Sequence, residues 1–176
     1  MTADLDALKY PVGKFQPPTT ITPKMITSAI EEIANLPAQI ENALINFSEN
    51  QLNTPYRPEG WTIRQIVHHV PDSHMNAYIR CKLALTENNP TIRPYFEDKW
   101  AELADTSNTP IEVSLQLLKS LHQRWVMLLK SMKPEDFERT FFHPEKKSSL
   151  KLAEVVLMYA WHGKHHLGHI LIVKNQ

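Results

Sequence analysis

Apolar residues recur at three- and four-residue steps along four long stretches of the chain, the period of amphipathic helices. In the first, Thr22 and Pro23 read as an N-cap followed by a first-turn proline. From there to about Asn50 the apolar positions are Ile26, Ile30, Ile33, Leu36, Ile40, Leu44 and Phe47. Pro37 lies inside this stretch and predicts a bend or break. A second helix is expected from Trp61-Thr62 to about Thr86, with Pro71 as a kink. Its apolar face runs through Ile63, Ile66, Val70, Ala77, Cys81 and Ala84. A third begins at Thr109-Pro110, carries Ile111, Leu115, Leu118, Leu121, Trp125 and Leu128, and stops before Lys133-Pro134. A fourth is expected from a Ser148 or Ser149 cap to about Val173.

Between these lie proline-rich connectors. Met1 to Thr20 shows no helical period and reads as an extended arm lying on the body. Asn53 to Gly60 and Pro90 to Trp100 read as irregular, and Pro134 to Lys147 as a connector holding one helical turn. Only four glycines occur, and no alternating strand pattern stands out. The expected fold is all-α, a single-domain antiparallel four-helix bundle with an N-terminal arm over residues 1–20.

The 176 residues suffice for one core, and 42% hydrophobic with 22% charged composition describes a globular chain. Lysine plus arginine balance aspartate plus glutamate at 19 each. That balance gives no footprint of a nucleic-acid or membrane binder. Cys81 is the single cysteine, which suits a cytoplasmic protein. Met1 to Tyr10 lacks a signal-peptide core, and the longest apolar run, Val155 to Trp161, is far short of the roughly 20 residues of a spanning helix.

The candidate chemistry lies in the histidines. Seven of the nine fall in two windows: His68, His69 and His74, then His162, His165, His166 and His169. The pairs 162/166 and 165/169 each share a helix face. Stepping about 100° per residue places 162 and 166 on the apolar stripe of Leu152, Val155, Tyr159, Ile170 and Val173, with 165 and 169 at its edge. On the second helix, His74 sits on the apolar face as a core histidine with a hydrogen-bond partner would. His68 points away from that face. His69 borders it in a polar stripe with Gln65, Asp72, Ser73, Asn76 and Arg80. Spacing alone leaves the choice between His69 and His74 open.

Three neutral imidazoles suit zinc, nickel and similar divalent metals, and a fourth position left free marks a catalytic site. His122 and His143 have no partner at useful spacing and read as non-ligands. Trp61, Trp100, Trp125 and Trp161 read as packing residues, and Cys81 as a buried hydrophobe. The His-Glu-x-x-His protease motif is absent, since Gly163 stands at the glutamate position.

Trp61-Thr62-Ile63-Arg64-Gln65-Ile66-Val67-His68-His69 through Asn76, Tyr78-Ile79-Arg80, Leu83 to Ile92, and Trp161-His162-Gly163-Lys164-His165-His166 together resemble the DinB/YfiT-like superfamily. Within it the chain looks most like the YfiT group, described as metal-dependent hydrolases. The resemblance implies a four-helix bundle with a metal on three histidines. These fall here on His69, eight residues after Trp61, and on His162 and His166. It also implies Zn2+ first, with Ni2+ as the alternative, a homodimer and a cytoplasmic location.

The function expected first is a metal-dependent hydrolase in which the metal activates water toward a small-molecule amide or ester. Asp72 is the nearest candidate for a general base, on the right helix but only roughly on the right side. The alternative is a metal-dependent S-transferase taking a low-molecular-weight thiol such as bacillithiol, with Asn76 and Arg80 holding its charged groups. A third reading is a non-enzymatic, metal-stabilised module, which requires a closed site with a fourth protein ligand.

Overall fold

The computed structural model describes residues 5–175. In chain order the helices are α1 (Leu5–Lys9), α2 (Pro23–Leu44), α3 (Glu49–Leu52), α4 (Ile63–Thr86), α5 (Glu97–Trp100), α6 (Ala104–Asn108) and α7 (Ile111–Ser131). A 3-10 turn (Pro134–Glu138), strands β1 (Thr140–His143) and β2 (Ser148–Lys151), and α8 (Leu152–Lys174) complete the chain. The four long helices form the bundle. α2 packs against α7 and α8, and so does α4. Thus α2 and α4 occupy one diagonal and α7 and α8 the other.

Local signals explain most helix ends. Thr22 Oγ1 accepts from the Met25 N–H, and Pro23 occupies the first turn, where it has no hydrogen bond to lose. Thr62 and Gln65 form a reciprocal capping box on α4. Both internal prolines are absorbed: α2 continues through Pro37 and α4 through Pro71.

Three expectations need correction. The first helix stops at Leu44 rather than near Asn50. Asn46 takes a left-handed conformation (φ 65) and turns the chain, and Ser48 with Gln51 then caps the separate helix α3. The arm is not wholly extended, because Leu5–Lys9 is helical. Ser148 and Ser149 do not cap α8. They lie in β2, paired with β1 in the register Phe141↔Leu150, and Lys151 precedes α8 without a side-chain cap. Leu152 N–H instead donates to the Arg139 carbonyl at 2.9 Å. Trp100 packs against Tyr95 at the surface, 39% exposed. His68, off the apolar face of its helix, is buried all the same, with Nδ1 2.7 Å from Ser114 Oγ on α7.

The core is divided. One apolar cluster, with Ile33, Cys81, Trp125, Phe141 and Val156, lies beneath the hairpin. The other, with Leu36, Ile40, Ile66, Leu118 and Ile170, fills the opposite half. On α4, α7 and α8 the residues between the two clusters include His74, His122, His162 and His166. A layer of imidazoles therefore crosses the middle of the bundle. Close approach of α2 to α8 at this level depends on Gly163, where a Cβ would lie 2.4 Å from Leu36 Cδ2. A side chain at that position requires the Leu36 side chain on α2 to shift.

Candidate metal centre

His69 projects from α4, and His162 and His166 from successive turns of α8. Their ligand nitrogens all lie within 4.8 Å of one another. His69 Nε2 is 3.4 Å from His162 Nε2, and His166 Nε2 is 3.2 Å from it. The Trp61 ring borders the group, with its centroid 4.6 Å from that of His69 and stacked at 6.4 Å from that of His166. The capping box that starts α4 thus places Trp61 and His69 together.

The electrostatics keep these rings neutral. Burial, aided by His165, brings His69 down to about 4. Burial and the neighbouring rings hold His162 and His166 well below the ordinary histidine value. Neutral imidazoles present lone pairs, and lone pairs at such spacing repel unless a cation or proton lies between them.

The donor set passes a geometric test for a metal. Nitrogens on two corners of a tetrahedron around a metal at 2.0–2.1 Å stand about 3.3–3.4 Å apart, against the 3.4 and 3.2 Å found here. Among the described residues no fourth histidine, cysteine, aspartate or glutamate joins this group.

A cavity of about 480 Å3 adjoins the three rings. Tyr159, Met158, Phe141 and Leu150 give it apolar wall, and Arg80, Lys146, Glu97 and Glu145 bring charge. Arg80 donates to the Arg93 carbonyl at 3.2 Å and makes no ion pair among the described residues. Asp72 does not line this cavity. Burial and the nearby Asp105 raise its carboxyl to about 6, but it is its place outside the cavity that removes it as the expected general base. Hairpin and loop residues such as Phe141, Glu145, Tyr95 and Glu97 carried no motif that would have flagged them. They reach the cavity only through the fold.

A second group, His165, His166 and His169, also brings its nitrogens within 4.8 Å. Two of its rings serve the arm. His169 Nε2 donates to the Lys9 carbonyl at 3.2 Å, and His165 faces Tyr10. Trp161 Nε1 adds a hydrogen bond to the Gly13 carbonyl at 3.0 Å. The helix edge that the sequence assigned to 165 and 169 is the face against which the arm is laid.

His74 and His122 are buried beside the site with hydrogen-bond partners. Cys81 is buried, and burial pushes its thiol up to about 12, far from nucleophilic use. No helix among the described residues is long and apolar enough to cross a membrane.

The DinB superfamily model matches residues 32–170. A Bacillus cereus (strain 03BB102) protein named "Putative metal-dependent hydrolase" is 54% identical over 172 residues, covering 98% of both chains. A Bacillus thuringiensis subsp. konkukian protein of the same description matches to the same extent. YfiT of Bacillus subtilis, described as a probable metal-dependent hydrolase with an unusual four-helix bundle topology, superposes with a TM-score of 0.93 at 42% identity. The match covers 96% of this chain and 97% of that one. With its bundle, its histidine layer and these matches over nearly its whole length, the chain belongs to the DinB superfamily.

Proposed function

We propose that the protein is a metal-dependent hydrolase in which Nε2 of His69, His162 and His166 hold a divalent metal, zinc first and nickel as the alternative. The observation that carries this is the clustering of three nitrogens within 4.8 Å, with His162 Nε2 at about a tetrahedral edge length from each of the other two, beside a cavity with room for a small molecule. A metal held by three imidazoles supplies Lewis acidity at its open position, lowering the pKa of water and polarising a substrate oxygen. Trp61 shields one side of the three rings, and the aromatic and aliphatic wall of the cavity receives the body of the substrate. Arg80, which pairs with no carboxylate among the described residues, suits an anionic group on it.

The purified protein is expected to carry about one zinc or nickel per chain by plasma mass spectrometry. His162→Ala is expected to fall below about one tenth of that, because two imidazoles bind far more weakly than three. Wild-type protein that takes up no metal would sink the reading.

One observation favours a second reading. No carboxylate joins the three-histidine cluster and Asp72 is outside the cavity, so the general base expected from the sequence is not at the site, and the carboxylates that line the cavity, Glu97 and Glu145, come from the start of α5 and the hairpin. Transfer of a low-molecular-weight thiol needs none of that kind, since a metal stabilises the thiolate directly. Cobalt-substituted protein whose visible spectrum shifts on adding thiols would favour transfer, and an unchanged spectrum would favour hydrolysis.

A further inference from the structure

The two buried histidines outside the ligand group are joined to it in a single line. His162 Nδ1 lies 3.2 Å from His74 Nε2, His74 Nδ1 lies 2.9 Å from His122 Nε2, and His122 Nδ1 lies 2.6 Å from the main-chain oxygen of Ile33. The last contact sets the direction of all the others. A carbonyl oxygen can only accept, so His122 carries its proton on Nδ1. Its bare Nε2 then accepts from His74 Nδ1–H. The bare Nε2 of His74 accepts from His162 Nδ1–H. The nitrogen of His162 left without a proton is Nε2, the one facing His69 and His166.

The carbonyl that starts the line is available for a reason written in the sequence. Inside an α-helix the oxygen of residue 33 would accept from the N–H of residue 37. Residue 37 is proline, which has no N–H, and α2 runs on through it. Pro37 therefore leaves the Ile33 oxygen unbonded within the helix, and His122 reaches it from α7.

A second proton on His74 or His122 would sit on an accepting Nε2 and reverse or break the line. The surroundings oppose one. His74 is enclosed by Trp125, Tyr159, His122 and His162, with ring centroids between 4.9 and 5.8 Å away. None of these is an anion at neutral pH, so nothing beside His74 stabilises a second proton on it.

We propose that His74 and His122 are positioning residues, which, from the carbonyl freed by Pro37, fix the tautomer and ring orientation of His162 so that its Nε2 lone pair is ready for a metal. The line ends at a carbonyl, so it orients and does not conduct protons away. It raises the basicity of His162 as second-shell acceptors do for metal-bound imidazoles. This inference rests on the three-histidine reading for its purpose, but its geometry exists without the metal and is tested without it.

The test is nitrogen NMR of the histidine rings in chelator-treated, 15N-labelled protein, followed by zinc competition titrations. His122, His74 and His162 are expected to show a proton on Nδ1 and a bare Nε2. His122→Leu removes the line's anchor, so His162 is expected to show a mixture of tautomers and zinc affinity to fall about 10–100-fold. Leu129→Ala, which removes a buried side chain of the same helix away from the line, is expected to lower stability while leaving the tautomer intact and zinc affinity within about twofold. A proton on His162 Nε2 in the wild type would overturn the proposal. So would a folded His122→Leu protein with unchanged tautomer and affinity. Should that variant fail to fold, the wild-type spectrum decides alone. Wild-type protein with the expected tautomers that binds no zinc would keep the relay and remove the metal reading.

Discussion

Metal-free protein is expected to lose about 3 kcal/mol or more of stability between pH 7 and pH 5, well before ordinary acid unfolding. The cause is the histidine layer. Burial holds His122 and His69 at about 4, against 6.5 for a free ring. Between those values the unfolded chain takes up protons that the folded chain refuses. Their contribution to stability is therefore complete above pH 6.5 and is lost as pH falls toward 4. At pH 5 each ring costs about 2 kcal/mol. His74, His162 and His166 are displaced further in the same direction, and His165 and His169 also stand at about 4. Asp72 works against them. Raised to about 6 by burial and Asp105, it favours the folded state at low pH and loses that contribution as pH rises through 6. It is half-exposed, so water screens part of this effect, and it returns roughly 1 kcal/mol at most. Urea titrations in chelator at the two pH values measure the difference. An unchanged midpoint would mean that the imidazole layer is charged or hydrated at neutral pH.

The same layer shows where sequence reasoning succeeds and where it stops. The four long helices were legible because Ile26 to Leu44, Ile63 to Ala84, Ile111 to Leu128 and Leu152 to Val173 keep one period over many turns. The faces of α8 were legible too: 162 and 166 turn toward α4, while 165 and 169 turn toward the arm. His69 was not. Spacing gave no reason to prefer it to His74, since both lie inside the bundle and differ only in whether they face the ligand group or the line behind it. Resemblance to the family made that choice. His122 was missed as a partner because its neighbours, Ile33 and His74, stand 89 and 48 residues away. Periodicity reports only the face of its own helix. Pro37 was read as a bend. Its effect is on a carbonyl one turn back, which no pattern of apolar positions can register. The hairpin escaped because its strands are four residues each and Lys147 supplies the left-handed turn residue (φ 51) without glycine. The Ser48–Gln51 capping box, by contrast, is written in the sequence, but the apolar period runs on to Phe47 and masks the helix break before it.

Gly163→Val is expected to destabilise the protein by about 3 kcal/mol and to weaken metal uptake together with stability. The residue stands between His162 and His166 where α8 meets α2. A Cβ there would lie 2.4, 3.0 and 3.2 Å from Cδ2, Cδ1 and Cγ of Leu36. Cδ2 is the most crowded of the three, so the Leu36 side chain must shift to admit any side chain at 163. Leu36 is 2% exposed, and it has no space to retreat into. Two effects oppose each other. A glycine in mid-helix costs up to about 1 kcal/mol in backbone entropy, which a replacement recovers in part. Overpacking a filled core costs about 1–3 kcal/mol and more when a branched side chain is inserted, so the steric effect prevails. The consequence extends to the relay, because α2 cannot move away from α8 without carrying the Ile33 carbonyl with it. His122 would then lose its acceptor, and the tautomer of His162 would loosen. The paired variant Gly163→Val with Leu36→Ala removes the three atoms that clash and is expected to recover a substantial part of both stability and zinc affinity. Thermal unfolding and zinc competition on the single and double variants give the coupling directly. Independent, additive losses in the pair would mean that the glycine serves α8 alone and that contact with α2 is not what requires it.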